Sequence, residues 1–292
     1  MITSEMNEIL HDHNEREVSI ISIFTDYVLE AEDVTSVDDE SNKRKTASKL
    51  METVKKLINE IMSIIEQCTL KISNTIKRIA QTDEGFKKKA RDAIKDKKAL
   101  EAIKLISYDF DVNFIEACMK NMTKTVFEFI ESAKMTYKEQ SDTNEVSPLD
   151  MKESDLIAEI FKKMGCGNDI TDLNLYFKYM SDGYHKSKKE MLFTESNIHE
   201  YYNITMEYKQ LKNIADSQQN AMKQHANGVK SNLNNIINNT ATQDNVKRRA
   251  INQYKNTTHL FNLYSSFLRM YIQLRTERIL IYRQIINRLY RI

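Results

Sequence analysis

The chain has 292 residues, of which 43 are basic and 42 acidic, so its formal net charge at pH 7 is +1. One proline, five glycines and no tryptophan favour long helices and argue against a turn-rich β fold. The odd number of cysteines (Cys68, Cys118 and Cys166) argues against a disulfide framework. The acidic first residues do not fit a secretory signal, and the apolar runs are too short to span a membrane.

The first predicted element is an acidic helix over residues 4–31. Within the first 40 residues, twelve acidic side chains stand against Arg16 alone. Its apolar face would contain Ile9, Ile20, Ile21, Phe24, Val28 and Leu29. Residues 32–42 combine acids with Ser and Thr without any period, which predicts a linker after a semi-independent helix.

The clearest long helix covers residues 43–80, where apolar side chains recur at three- and four-residue steps. Thr82 or Asp83 would cap a shorter helix over 86–98. This second helix contains Lys87, Lys88, Lys89, Arg91, Lys95, Lys97 and Lys98. These cations are candidate contacts to phosphate or to an acidic partner, and a solvated helix face is the simpler interpretation.

The middle of the chain alternates short elements. The partly alternating pattern of residues 103–110 predicts a strand. Asp111 or Asn113 would begin a helix that extends to about residue 140. The only proline lies in a predicted loop over 141–150. Helices over 151–164 and 171–181 would end at Gly165 and Gly183. A strand over 190–194 would pair with the one near Tyr108, and such a ribbon must lie on the helices to be stable.

The last third predicts a helical hairpin. Asn197 caps a helix over 198–237 that Asn227–Gly228 weakens, and the turn over 238–244 leads to the final helix, 245–292. That helix has ten basic residues against Glu277 alone. Its heptad-like apolar seam predicts packing against another long helix, in the same chain or in a neighbour.

The cations of the final helix are interleaved with tyrosines. Arginine pairs with carboxylates or phosphates in a bidentate manner, so either nucleic acid or an acidic protein surface would suit them. The acidic first helix is itself a candidate partner, because complementary charge steers association. The candidate contact residues are Arg269, Arg275, Arg278, Arg283, Arg288 and Arg291.

No chemical motif accompanies these charges. His11-Asp12-His13 with Glu15 is the only cluster of metal-like composition, but positions two apart point to different faces of a helix, so no metal site is predicted. The remaining histidines, His185, His199, His225 and His259, are interpreted as polar surface residues. Cys166 lacks the partners of a catalytic thiol, and no nucleotide-binding or nucleophile motif occurs. We therefore predict no enzymatic activity and no cofactor.

The order of elements resembles a known group of proteins. The stretches that show it are TVKKLINEIMSIIEQCTLKISNTIKRI, GFKKKARDAIKDKKALEAIKLISYDFD and IAEIFKKMGCGNDITDLNLYFKYMSDGYHKSKKEMLFT. In these stretches the chain resembles virion structural proteins, head-internal or head-associated, of tailed bacteriophages that infect low-GC, Firmicutes-type hosts. The resemblance implies an assembly role, and removal of the acidic segment by a head-maturation protease near residues 32–42.

We therefore predict a mostly α protein: an elongated bundle of long helices with a small two-stranded β-ribbon and a C-terminal helical hairpin. Its predicted regions are 1–40, 41–140, 141–196 and 197–292. The predicted function is a non-enzymatic virion component, made in the host cytoplasm, that self-associates and contacts capsid, portal or other virion proteins. The alternatives are a non-virion helical binding protein, such as a host-directed inhibitor or a scaffold, and a nucleic-acid-binding protein.

Overall fold

The computed structural model describes residues 2–32, 40–95, 103–139, 149, 151–193, 195–239 and 244–289. Within these ranges the chain is mostly helical, with one small antiparallel sheet. The elements are α1 (Ile2–Glu32), α2 (Glu40–Gln81), α3 (Asp83–Lys95), β1 (Ile103–Phe110), α4 (Val112–Glu139), α5 (Glu153–Lys163), α6 (Leu173–Tyr184), β2 (His185–Phe193), α7 (Glu195–Thr205), α8 (Tyr208–Asn238) and α9 (Asp244–Leu289). Residues 33–39 of the predicted linker, and all of the predicted loop over 141–150 except residue 149, lie outside the described residues. Residues 40–42, expected in the linker, belong to α2.

Helix α9 is the axis of the bundle. Its 46 residues span about 69 Å at 1.5 Å per residue, and α1, α2, α4, α7 and α8 pack around it. Leu260, Phe261, Leu263 and Tyr264 are all fully buried, although successive residues point about 100° apart around a helix. The predicted narrow seam therefore describes only part of the buried surface, because this helix is enclosed on every side over most of its length.

The predicted C-terminal hairpin is confirmed, with two corrections to its first helix. Tyr264 donates a hydrogen bond to Gln218 at 2.7 Å, and Arg275 to Glu207 at 3.1 Å, so α8 and α9 run antiparallel. The predicted helix over 198–237 breaks between α7 and α8, at residues 206–207. Gly228 causes no break, because a glycine is tolerated inside a helix whose neighbouring side chains are packed.

Helix α1 belongs to the same core as the rest of the bundle. Ile9, Ile20 and Tyr27 are buried in the main hydrophobic cluster. Ile21, expected on the apolar face, is instead exposed next to Val18 on the outer face. The acidic helix is therefore held by apolar burial as well as by charge.

The β-ribbon is antiparallel, with Ile103 opposite Phe193 and an irregular register between Tyr108 and Phe110. Strand β2 begins at His185, earlier than the predicted 190–194. Phe110 fixes the ribbon to the helices, because its ring packs against Tyr184 and Tyr282. The ribbon thus lies on the bundle, as a two-stranded sheet must.

The helix ends follow the local chemistry of the chain. Asp111 caps α4 by accepting the backbone N–H of Phe114 at 3.0 Å, as predicted. Gly165 ends α5 with a φ of +77°, a conformation that glycine adopts without strain. Gly183, predicted to end a helix, lies inside α6 instead, where the ring of Phe114 occupies the space that a side chain would need.

We expect Gly183→Ala to lower the free energy of unfolding by about 1–3 kcal/mol, because the added Cβ would overlap the Phe114 ring. The matched control is Gly85→Ala in α3, where nothing lies within 4 Å of the added atom. There alanine should be neutral or stabilising by about 0.5–1 kcal/mol. Urea denaturation of both variants measures the difference, and Phe114→Leu should recover part of the loss. A Gly183→Ala chain as stable as the native one would contradict this packing.

Candidate functional site

The structure brings the acidic first helix and the basic last helix together. Arg269 on α9 contacts Asp12 on α1 with 2.7 Å between Nη1 and Oδ2, and Lys71 on α2 lies 2.6 Å from the same carboxylate. Burial alone would raise the pKa of Asp12, but the hydrogen bonds from Lys71 and Arg269 outweigh it, so its pKa lies below the ordinary value. The opposite charges of the two ends therefore meet within one chain.

The next two arginines of α9 share one carboxylate. Arg275 lies 3.1 Å and Arg278 3.0 Å from Glu207, at the break between α7 and α8. Arg275 is only 3% exposed and also contacts Glu116 on α4 at 2.9 Å. Because a buried guanidinium needs acidic partners, these contacts fix α4, α7 and α8 against the axis.

Arg283 binds three groups at the junction between α2 and α3. It donates to Asp83 at 2.9 Å, to the carbonyl of Ile79 at 2.8 Å and to the hydroxyl of Thr82 at 2.9 Å. Its guanidinium also lies over the ring of Phe86, 5.0 Å from the centroid. The junction between α2 and α3 is thus clamped onto α9.

The predicted contact residues therefore fall into two groups. Arg269, Arg275, Arg278 and Arg283 bind acidic groups of their own chain, and Lys87 pairs with Asp83 and Glu84. Lys88, Lys89 and Arg91 point outward from α3 and form what we call the α3 basic surface. The side chains of Lys95, Lys97, Lys98, Arg288 and Arg291 lie outside the part of the chain that the structure describes.

A second group of polar residues was not predicted from the sequence. Glu17 on α1 contacts Nδ1 of His259, which is 1% exposed on α9. The Nε2 atom of the same ring lies 3.3 Å from a carboxylate oxygen of Glu153, at the start of α5. Asn262 donates to Glu17 at 2.5 Å and to the backbone carbonyl of His13 at 3.0 Å. We call Glu17, Glu153 and His259 the carboxylate–histidine cluster.

Burial governs the charges of this cluster. It lowers the pKa of His259 to about 4, and burial together with the nearby His259 lowers that of His13 to about 4. Burial also raises the pKa of Glu17. Burial, together with a hydrogen bond between the two carboxyl groups, raises the pKa of Glu153 to about 7. Because two adjacent carboxylates repel each other, the pair retains a proton or attracts a cation.

A cleft of about 790 Å³ borders the cluster. Its lining includes His13 and Glu17 on α1, Glu153 at the start of α5 and Leu173 at the start of α6. Two of the three cluster residues therefore border the cleft, and His259 lies buried behind them.

Sequence reasoning placed His259 on the surface, and this was wrong. His185 and His225 are half-buried and paired with Glu277 and Glu131, whereas His199 is exposed as predicted. The available signal was the position of His259 directly before an apolar run, since a histidine inside a buried helix needs a polar partner.

The cluster that the sequence did suggest lies on the outer face of α1. His11, Asp12 and Glu15 offer ligand atoms within 4.8 Å of one another, but His11 and Glu15 are exposed. His13 points inward, 3.2 Å from the hydroxyl of Ser266. The two histidines therefore occupy different faces of the helix, as their spacing predicts.

The three cysteine thiols are unpaired. Burial raises the pKa of both Cys68 and Cys118 to about 11, and it also raises that of Cys166. Since the thiolate is the nucleophilic form, these environments disfavour thiol chemistry at neutral pH.

Comparisons with protein-family models, with curated proteins and with solved structures each found no match. Among the helices that the structure describes, none combines the length and the apolar character that crossing a membrane requires.

One further ion pair connects the ribbon to the axis. His185, at the first position of β2, bonds through Nδ1 to the Ser181 carbonyl at 2.8 Å and through Nε2 to Glu277 at 3.0 Å. Both partners are acceptors, so the protonated imidazole, which carries an N–H on each nitrogen, satisfies both contacts. Burial alone would lower the pKa of His185, but these hydrogen bonds outweigh it and raise the pKa.

We expect His185→Gln to destabilise the chain by roughly 1.5–3 kcal/mol at pH 6, because a hydrogen bond to a charged group is lost. A raised histidine pKa contributes stability that is fully present below about pH 6.5, the pKa of the unfolded imidazole, and that disappears as the pH rises through the folded pKa. The difference in unfolding free energy between native and variant chains should therefore shrink from pH 6 towards pH 9. The exposed His199→Gln is the control, and a pH-independent difference would contradict the assignment.

Proposed function

We propose that the chain is a non-enzymatic structural and assembly protein of a tailed-phage virion, head-internal or head-associated, in contact with capsid shell, portal or genome. The observation that carries the proposal is the central helix α9, which buried ion pairs fix to the helices around it. Such a body is an elongated, internally braced rod. The stretches that resemble head proteins coincide with α2, with α3 to β1 and with α5 to β2.

The arrangement of charge suggests where partners would bind. Arg269 pairs with the acidic first helix, and Arg275, Arg278 and Arg283 pair with carboxylates elsewhere in the chain, so these four arginines are committed to intrachain contacts. The α3 basic surface is not committed in this way, because Lys88, Lys89 and Arg91 are exposed. Assembly through charge complementarity would therefore use α3, against an acidic surface of another virion protein.

The burial of α1 bears on the expected maturation step. Cleavage near residues 32–42 followed by loss of α1 would remove Asp12 from Arg269 and Glu17 from His259. It would also expose to water the apolar surface of the main hydrophobic cluster that Ile9, Ile20 and Tyr27 cover, which costs free energy. We therefore expect α1 to remain bound in the mature particle, whether or not the linker is cut.

The first test is mass spectrometry of gradient-purified particles made with the native chain, with K88E/K89E/R91E, or with K209E/K212E/K223E. The last variant makes the same charge change on exposed lysines of α8. We expect the native chain and the α8 control at many copies per particle, with peptides from α1 present. The copy number of the α3 variant should be at least tenfold lower, because a loss of about 1.4 kcal/mol in binding free energy lowers an affinity tenfold. Intact protein in lysates but absent from particles would contradict the virion role and favour a host-directed binding protein or a scaffold.

The α3 basic surface also supports a second candidate function, binding of nucleic acid. Three phosphate contacts predict that affinity for duplex DNA falls about 40-fold between 50 and 200 mM salt. Fluorescence anisotropy with the native chain, K88E/K89E/R91E and the α8 control measures this slope. If the affinity for DNA does not depend on salt concentration, or if K88E/K89E/R91E binds as tightly as the native chain, this surface is not a DNA contact.

A further inference from the structure

The carboxylate–histidine cluster brings together three side chains from distant parts of the chain. Glu17, Glu153 and His259 each offer a ligand atom, and these atoms lie within 4.8 Å of one another. In zinc sites the metal–oxygen and metal–nitrogen distances are about 2.0–2.2 Å, so neighbouring donors lie roughly 3–3.5 Å apart. Small side-chain movements would therefore bring all three donors onto one ion.

The histidine ring gives an independent indication of a ligand. His259 is almost completely buried, and its Nε2 atom forms no hydrogen bond within the described residues. That atom nevertheless faces a Glu153 oxygen at 3.3 Å. A neutral imidazole has one N–H. When that proton is on Nε2, on the Glu153 side, Nδ1 presents a lone pair towards the carboxyl group of Glu17, an unfavourable arrangement unless a proton or a cation lies between them.

We propose that Glu17, Glu153 and His259 bind one divalent transition-metal ion, with Zn²⁺ the best match, at the floor of the cleft between α1, α5 and α6. His259 would coordinate through Nδ1, the ring nitrogen in contact with Glu17, while Nε2–H stays on the Glu153 side. A carboxylate has several lone pairs, so Glu17 can accept from Asn262 through Oε1 and bind the ion through Oε2. Glu17 and Glu153 also line the cleft, so water from the cleft would complete the coordination.

The donor set determines the class of metal. Two carboxylates and an imidazole, without thiolate, suit Zn²⁺ and its neighbours in the first transition row, whereas Ca²⁺ and Mg²⁺ prefer oxygen ligands alone. Affinity should follow the usual order, with Zn²⁺ and Co²⁺ above Mn²⁺. Such an ion would link α1, α5 and α9, so its effect is structural: it would clasp the acidic helix and the first turn of α5 to the axis.

The test uses the full chain after dialysis against a chelator. Titration calorimetry with ZnCl₂ and the visible absorption of bound Co²⁺ measure stoichiometry and affinity. We expect one ion per native chain. Glu153→Gln should weaken binding at least about 100-fold. Loss of a residue that only hydrogen-bonds to a metal ligand already weakens binding by about 10- to 100-fold, and Glu153 is a ligand itself. The matched control is H11Q/E15Q, which disrupts the exposed cluster of α1 and should leave affinity within about twofold.

The alternative occupant is a proton shared between the two carboxyl groups. Absence of a Zn²⁺ heat and of a Co²⁺ spectrum in the native chain would establish that alternative and overturn the metal site. Equal binding by Glu153→Gln, or loss of binding in H11Q/E15Q, would also overturn it. X-ray absorption at the zinc edge of the native chain is independent of how the variants fold. A single imidazole among light-atom ligands supports the site, and sulfur or several imidazoles contradict it.

Discussion

The structure depends on burying a charged and polar helix along the axis of the bundle. A helix that is enclosed on all sides is normally apolar, but α9 contains Gln253, Asn256, His259, Arg275 and Arg283 at buried positions. Each of these groups costs free energy unless a partner compensates for its lost hydration. The surrounding helices must therefore deliver acceptors and carboxylates to fixed points along α9, in addition to apolar surface.

This requirement determines where the outer helices lie. Asp12 fixes the register of α1, Asp83 that of the α2–α3 junction, and Glu207 that of the α7–α8 break. An apolar interface alone tolerates sliding, because many registers bury similar area. Displacing one of these helices by a turn would leave a guanidinium buried without its carboxylate, which is far more costly. The ion pairs thus specify one arrangement, whether or not each adds net stability.

The sequence predicted what depends on neighbouring residues. The period of apolar side chains located the long helices, and Asp111 and Gly165 marked helix ends through local hydrogen bonding and backbone preference. The environment of α9 could not be predicted in this way. Arg275 and Arg283 look like solvated residues until their partners are known, and those partners are distant in sequence. Gly183 was misread for the same reason, since the Phe114 ring that requires a glycine comes from another helix.

The candidate site shows the same division between local and distant information. His11, Asp12 and Glu15 are close in sequence, and one turn of helix places them together, with His11 and Glu15 exposed. The buried cluster joins Glu17 to His259 across 242 residues, so no spacing rule could have indicated it. Its location is nevertheless consistent with the rest of the fold. The cluster lies on α9, as the arginine pairs do, and it engages α1, as the Asp12 pair does. Polar contacts at two levels of the axis therefore hold one acidic helix. A cation bound by the carboxylate–histidine cluster would replace the shared proton with bonds to α1, α5 and α9. It would thereby also fix the start of α5 to the axis.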